Sequence, residues 1–195
     1  QDLEILAKLN REELYSNIEL KFTEEELKQL KLYGDEKLQK ILNELAVHPG
    51  RNQKIVTRIE QAVNNGDSVL AFGCSVDHCV ILESLLAQIG IEAKSVLGQT
   101  SKSERNRIIS DFKEDKLSVL INYGVLTTGF DAPNLDTVII ARPTTSIVLY
   151  SQMLGRALRG PKNGGNYQNT VVDIKDNFGK ETTGEMFSFF NKIWN

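Results

Sequence analysis

Residues 118–141, SVLINYGVLTTGFDAPNLDTVIIA, decide how this chain folds. Two uncharged runs, SVLINY and TVIIA, bracket a loop that holds Gly129, Asp131 and Pro133. In each run Val, Ile and Leu follow one another instead of alternating with polar residues. A strand of that kind needs apolar cover on both faces, which points to a parallel sheet between helical layers. Working outward, SVLAFG at 68–73, Ala93–Leu97 and TVVDI at 170–174 carry the same signature. Helices are predicted between them at Val76–Ile89, Glu104–Phe112 and Ser146–Leu158, with Ser101 and Glu104 at capping-box spacing before the second. A further helix with Ile55, Ile59 and Val63 on one side closes at Asn65-Gly66. Strand and helix alternate, so the class is α/β with helices on both faces of a parallel sheet.

The first fifty residues differ. They are rich in Glu, Lys and Leu, and Thr23 with Glu26 has capping-box spacing. Gly34-Asp35 reads as one helix ending and another beginning, the latter stopping near Pro49-Gly50. Residues 1–50 are therefore expected to be a helical linker or accessory segment. Residues 51–195 form the sheet domain, with Phe187–Trp194 as a terminal docking helix.

The 195 residues suit one domain plus an appendage. With 41% hydrophobic and 25% charged residues, the chain can bury a real core. No run of 18 apolar residues or basic-then-apolar leader is visible, and two cysteines do not make a disulfide framework. A cytoplasmic protein without membrane partners is expected. A net charge of −3 excludes a broadly basic nucleic-acid binder, so any polyanion must be met by a few placed groups. Cys74, His78 and Cys79 do not have a paired zinc-ligand spacing, and no metal site is assigned. The Gly-rich NGGN at 163–166 lacks the Gly-Lys-Ser/Thr ending of a phosphate loop and reads as a helix-to-strand connection.

Three places could carry chemistry. In the loop VLTTGFDAP (125–133), Gly129 lets a ligand approach backbone N–H groups, and Asp131 offers a carboxylate to a sugar hydroxyl. A plain Gly-Pro turn is the simpler account of the same residues. In QMLGRALR (152–159), Gln152, Arg156 and Arg159 fall in one narrow helical sector, nearly opposite the apolar face. Paired guanidinium groups suit bidentate phosphate binding, and outward-facing ones suit a phosphate held by another domain. The third place comprises Phe72–Ser75, the Gly98-Gln99-Thr100 turn and Arg105. Small and hydroxyl residues at strand-to-helix turns can bind phosphates, although Ser75 serves equally as a helix cap.

Together these segments resemble the C-terminal RecA-like domain of superfamily-2 helicases. VLAFGCSVDHC resembles motif IV, the run into VLINYGVLTTGFDAP resembles motif V, and SQMLGRALRG matches the motif VI pattern Gln-x-x-Gly-Arg-x-x-Arg. The resemblance covers about residues 51–175 and is nearest the RadD-like and restriction-enzyme translocase branch, since DEAD-box motif VI begins with His. It implies an ATP-dependent helicase or translocase whose two RecA-like domains sandwich ATP and Mg²⁺. Arg156 and Arg159 would contact the γ-phosphate, Gln152 the hydrolytic water, and Gly129 and Asp131 the nucleotide. Ser75, Gly98, Thr100 and Tyr123 would lie along the nucleic acid, DNA being the first expectation and RNA the second. In DEAD-box relatives the Tyr123 position is usually Thr. No Gly-x-x-x-x-Gly-Lys-Ser/Thr loop is present. The resemblance therefore implies that ATP and Mg²⁺ are held mainly by a partner N-terminal RecA-like domain, without which this domain would be inactive. The alternative is a RecA-like module that has lost catalysis and docks nucleic acid or protein.

Overall fold

A computed structural model describes residues 5–19, 34–125, 134–144 and 146–177. The elements run β1 (Lys8–Glu19), α1 (Gly34–Val47), α2 (Pro49–Asn64), β2 (Val69–Phe72), α3 (Val76–Gln88), β3 (Ala93–Val96) and α4 (Lys102–Lys113). They continue with β4 (Val119–Asn122), β5 (Thr137–Ile140), α5 (Ile147–Ala157), a 3-10 turn (Pro161–Asn163) and β6 (Gln168–Asn177). Six strands form one sheet in the order β1-β6-β5-β2-β4-β3, and every pairing is parallel.

Alternation along each strand splits the core into two layers. Leu70, Phe72, Leu120, Val138, Ile140 and Val171 point to the face covered by α4 and α5, where Ile108, Phe112, Tyr150, Met153 and Leu154 meet them. Val69, Ala71, Val119, Ile121, Ile139 and Val172 point to the other face, against Ile55, Ile59, Leu82 and Leu86 of α2 and α3. β2, β4 and β5 are buried at every position, as their uninterrupted apolar runs require. This is the expected RecA-like α/β layering.

The helix starts follow local chemistry. His48 caps α2 by accepting the Arg51 N–H at 3.3 Å, ahead of Pro49. Ser101 caps α4 through the Glu104 N–H at 3.2 Å. In the NGGN connection Gly164 takes φ 77°, and a Cβ on Gly165 would collide with the Arg159 carbonyl oxygen. Only glycine fits there.

One expectation is corrected. Residues 8–19 do not continue a helical segment; they form β1, the edge strand beside β6. Their Glu, Lys and Leu content favours helix in isolation, but nine residues pairing with β6 along a parallel strand override so weak a preference. Coverage then alternates: Ser16 and Ile18 are buried while Tyr15 and Asn17 are exposed. Ion pairs Glu12–Arg58 at 3.0 Å and Glu13–Lys175 at 3.5 Å absorb the charges. The ladder becomes irregular between Tyr15 and Glu19, where Asn17 takes φ 62°. The Thr23/Glu26 pair, the 187–194 segment, Gly129 and Asp131 lie outside the described residues.

Candidate nucleotide and nucleic-acid interface

The parallel sheet gathers one set of candidates at the carboxyl ends of its strands. Ser75 follows β2, Gly98 and Thr100 follow β3, Tyr123 follows β4, and Arg142 follows β5. Ser75 is committed to capping α3: its hydroxyl accepts the His78 N–H at 3.1 Å, and the residue is 7% exposed. The β3 turn is closed on itself. Thr100 Oγ1 accepts the Leu97 N–H at 2.9 Å, and the Arg105 guanidinium reaches the carbonyls of Leu97 and Thr100 at 3.4 and 3.5 Å. Arg105 is thus a brace for this turn. Gly98 is exposed, and a Cβ there would meet nothing within 4 Å.

Tyr123 has a partner that sequence reasoning did not find. The Arg142 guanidinium stacks 4.8 Å from its ring centroid, and its hydroxyl lies 3.5 Å from Gln39 Oε1 of α1. The signal was the Arg-Pro pair directly after TVIIA, one residue beyond the buried strand.

Beneath this rim lies a dry polar network. Arg51 of α2 is fully buried and grips Asp176 through Nε–Oδ1 at 2.9 Å and Nη2–Oδ2 at 3.0 Å. It also donates to the Ala141 carbonyl at 2.6 Å. The Cys74 thiol donates to the same carbonyl at 3.0 Å, and burial pushes its pKa up to about 11. His78 Nδ1 accepts the Cys74 N–H at 2.9 Å, so the ring proton sits on Nε2, facing Asn52 Oδ1 at 3.0 Å. Burial, with the nearby Arg51 charge, lowers the His78 pKa to about 3. Both ring nitrogens are engaged and the ring is neutral, which leaves no lone pair for a metal. Arg51 and Asp176 carried no sequence signal, because contact between residues so far apart is set by the fold alone.

The second set of candidates lies elsewhere. α5 begins after β5 at the carboxyl rim and runs back across the sheet, with Tyr150, Met153, Leu154 and Ala157 buried. Gln152 and Arg156 are half-buried beside exposed Gly155, whose Cβ position opens onto empty space. Burial lowers the Arg156 pKa, but a guanidinium so placed stays charged. Half-buried Arg159 follows α5 and bridges Leu6, beside the amino ends of β1 and β6. Arg156 and Arg159 thus lie toward the other end of the domain from the rim residues.

The six-stranded parallel sheet with helices on both faces is the RecA-like fold of helicase C-terminal domains. The family description "Helicase conserved C-terminal domain" matches residues 36–161, and the chain belongs to that family. It is 40% identical over 113 residues to the Schizosaccharomyces pombe protein named "Putative mitochondrial ATP-dependent helicase irc3", covering 56% of this chain and 19% of that one. To the mouse ATP-dependent RNA helicase DDX42 it is 30% identical over 143 residues, 73% of this chain and 15% of the relative. The chain therefore spans less than a fifth of each of these relatives. Among solved structures, Saccharomyces cerevisiae Dbp5 bound to RNA and ADP BeF3 shares the fold. Its TM-score is 0.55 at 19% identity, over 97% of this chain and 39% of that one.

Proposed function

We propose that this chain is the C-terminal motor domain of an ATP-dependent nucleic-acid helicase or translocase. The observation that supports the reading is α5, where half-buried Gln152 and Arg156 lie off the buried apolar face and half-buried Arg159 follows the helix end. In this reading Arg156 and Arg159 reach γ-phosphate oxygens of ATP held by an N-terminal P-loop domain, and Gln152 orients the attacking water. Gly129 and Asp131 line the nucleotide. Mg²⁺ takes its protein ligands from that partner domain; among the described residues no three His, Cys, Asp or Glu side chains converge on a metal-sized site. Phosphoryl transfer then requires the two domains to close, which couples turnover to movement.

The carboxyl rim takes the nucleic acid in the same reading. Gly98 offers open backbone, and Tyr123 with Arg142 offers an aromatic face beside a cation, a combination suited to bases and phosphates. DNA is the proposed track, on the Gln-headed motif VI of the translocase branch.

The test is steady-state ATP hydrolysis by the full-length protein with and without DNA or RNA. Arg156→Ala or Arg159→Ala is expected to lower stimulated kcat by roughly 10³-fold or more while leaving nucleic-acid affinity at fixed salt nearly unchanged. The 195-residue chain alone should show no turnover. Undiminished turnover in both arginine variants would refute the assignment.

A further inference from the structure

α5 and the turn after it are attached at two points to β1 and the residues just before it. In the first turn of α5, the Tyr150 hydroxyl donates to Asp173 Oδ2 of β6 at 2.7 Å and accepts from Arg11 Nη2 of β1 at 2.8 Å. Arg11 and Asp173 also face each other directly, at 3.9 Å. Beyond its end, the Ala7 N–H donates to the Leu158 carbonyl at 3.0 Å, and the Gly160 N–H donates to the Ile5 carbonyl at 3.2 Å. Leu6 and Arg159 form the antiparallel bridge between these bonds. A helix held at one point can still roll or slide; held at two points, it has one position.

We propose that Arg11 is a positioning residue that acts through Tyr150 to set the placement of α5, and with it the reach of Arg156 and Arg159. The inference deepens the motor reading above and rests on it. Neither Arg11 nor Tyr150 touches the reacting phosphate; they decide where the groups that do so stand. The site is built for adjustment more than for stability. The Arg11 side chain is 31% exposed and Asp173 is 11% exposed, so the pair is partly wet and its direct contact is long. The phenol between them turns this loose ion pair into a directed link to the helix backbone. A small displacement of the reacting groups costs a large factor in rate, so a link of this kind registers in turnover before it registers in folding.

Two measurements test this. In the 195-residue chain, without nucleotide, Arg11→Met and Tyr150→Phe should raise hydrogen exchange at the Ala7 and Gly160 amides about tenfold, leaving the α3 amides unchanged. In the full-length protein the same variants should lower stimulated kcat roughly 10–100-fold with KM for ATP held within about threefold, and Arg11→Lys should recover part of the loss. Arg58→Met breaks a different β1 ion pair, with Glu12, and serves as the control that changes neither readout. Unchanged exchange overturns the strut. Raised exchange with unchanged kcat, or an equal loss in Arg58→Met, overturns its positioning role. Tyr150→Phe keeps the buried ring, so it carries the test if Arg11→Met does not fold. Failure of the motor reading is separate: turnover would then survive Arg156→Ala and Arg159→Ala, variants that leave Arg11 and Tyr150 intact.

Discussion

β6 carries two aspartates on opposite faces, and each meets an arginine from far away in sequence. Toward α2, Asp176 and Arg51 are both sealed, at 0% side-chain exposure, with two short contacts and further bonds to Ala141 and Cys74. Toward α5, Asp173 and Arg11 are partly wet and bridged by a phenol. The same residue pair therefore does different work on the two faces. Enclosure makes the first an all-or-none element of stability, since a charge left alone in a dry core cannot be rehydrated. Access to water makes the second a weak link whose value lies in direction. The face toward α2 is sealed; the face toward α5, which carries the arginines proposed to reach phosphate, is held by partly exposed contacts.

The strongest way to break this contrast is Arg51→Met, which strands the Asp176 carboxylate. A loss of about 3–5 kcal/mol in chemical denaturation is expected, and adding Asp176→Leu should return a large part of it. If Arg51→Met cost no more than a surface substitution, the two faces would not differ as described.

The sealed face also predicts a pH dependence. His78 is neutral in the fold, with its pKa lowered from 6.5 to about 3, so below 6.5 the unfolded chain binds a proton that the fold refuses. Its contribution is complete above pH 6.5 and is lost as pH falls from there toward about 3. The slope in that window should reach about 1.4 kcal/mol per pH unit. Denaturation titrations of His78→Gln should show a flatter acid limb.

On the α5 side, two glycines sharpen the comparison. Gly165→Ala drives a methyl into the Arg159 carbonyl and should cost roughly 1–3 kcal/mol with a shifted Arg159. Gly155→Ala meets open space within α5 and should raise stability by about 0.5–1 kcal/mol, the smallest effect of the series. Thermal unfolding of both variants checks the pair. Equal effects would mean that the backbone after α5 is not packed as the geometry states.

Much of this was legible in the residues themselves. Apolar runs without alternation announced a parallel sheet, and the helix caps at Ser75 and Ser101 stood in plain spacing. β1 was not legible. Glu, Lys and Leu in residues 8–19 carry a helix preference of tenths of a kcal/mol each, and pairing with β6 outweighs it. Among the candidate site residues, Gln152 and Arg156 could be placed on one helix from periodicity, whereas Arg159, expected on the same helix, lies past its end in a bridge with Leu6. Their companions Arg11, Tyr150 and Asp173 could not be assembled, because no spacing rule links β1, α5 and β6.

By itself, the sequence determined the layered α/β class, the Gln152 and Arg156 face of α5, and the glycine turn at 164–165. Each of these depends on neighbours within a few positions, where backbone sterics and side-chain period act directly. Only the tertiary structure decided which charges are sealed, which are hydrated, and which strand braces the arginine helix. Burial and long-range pairing arise once every element has packed, and the dielectric around a charge exists only after that.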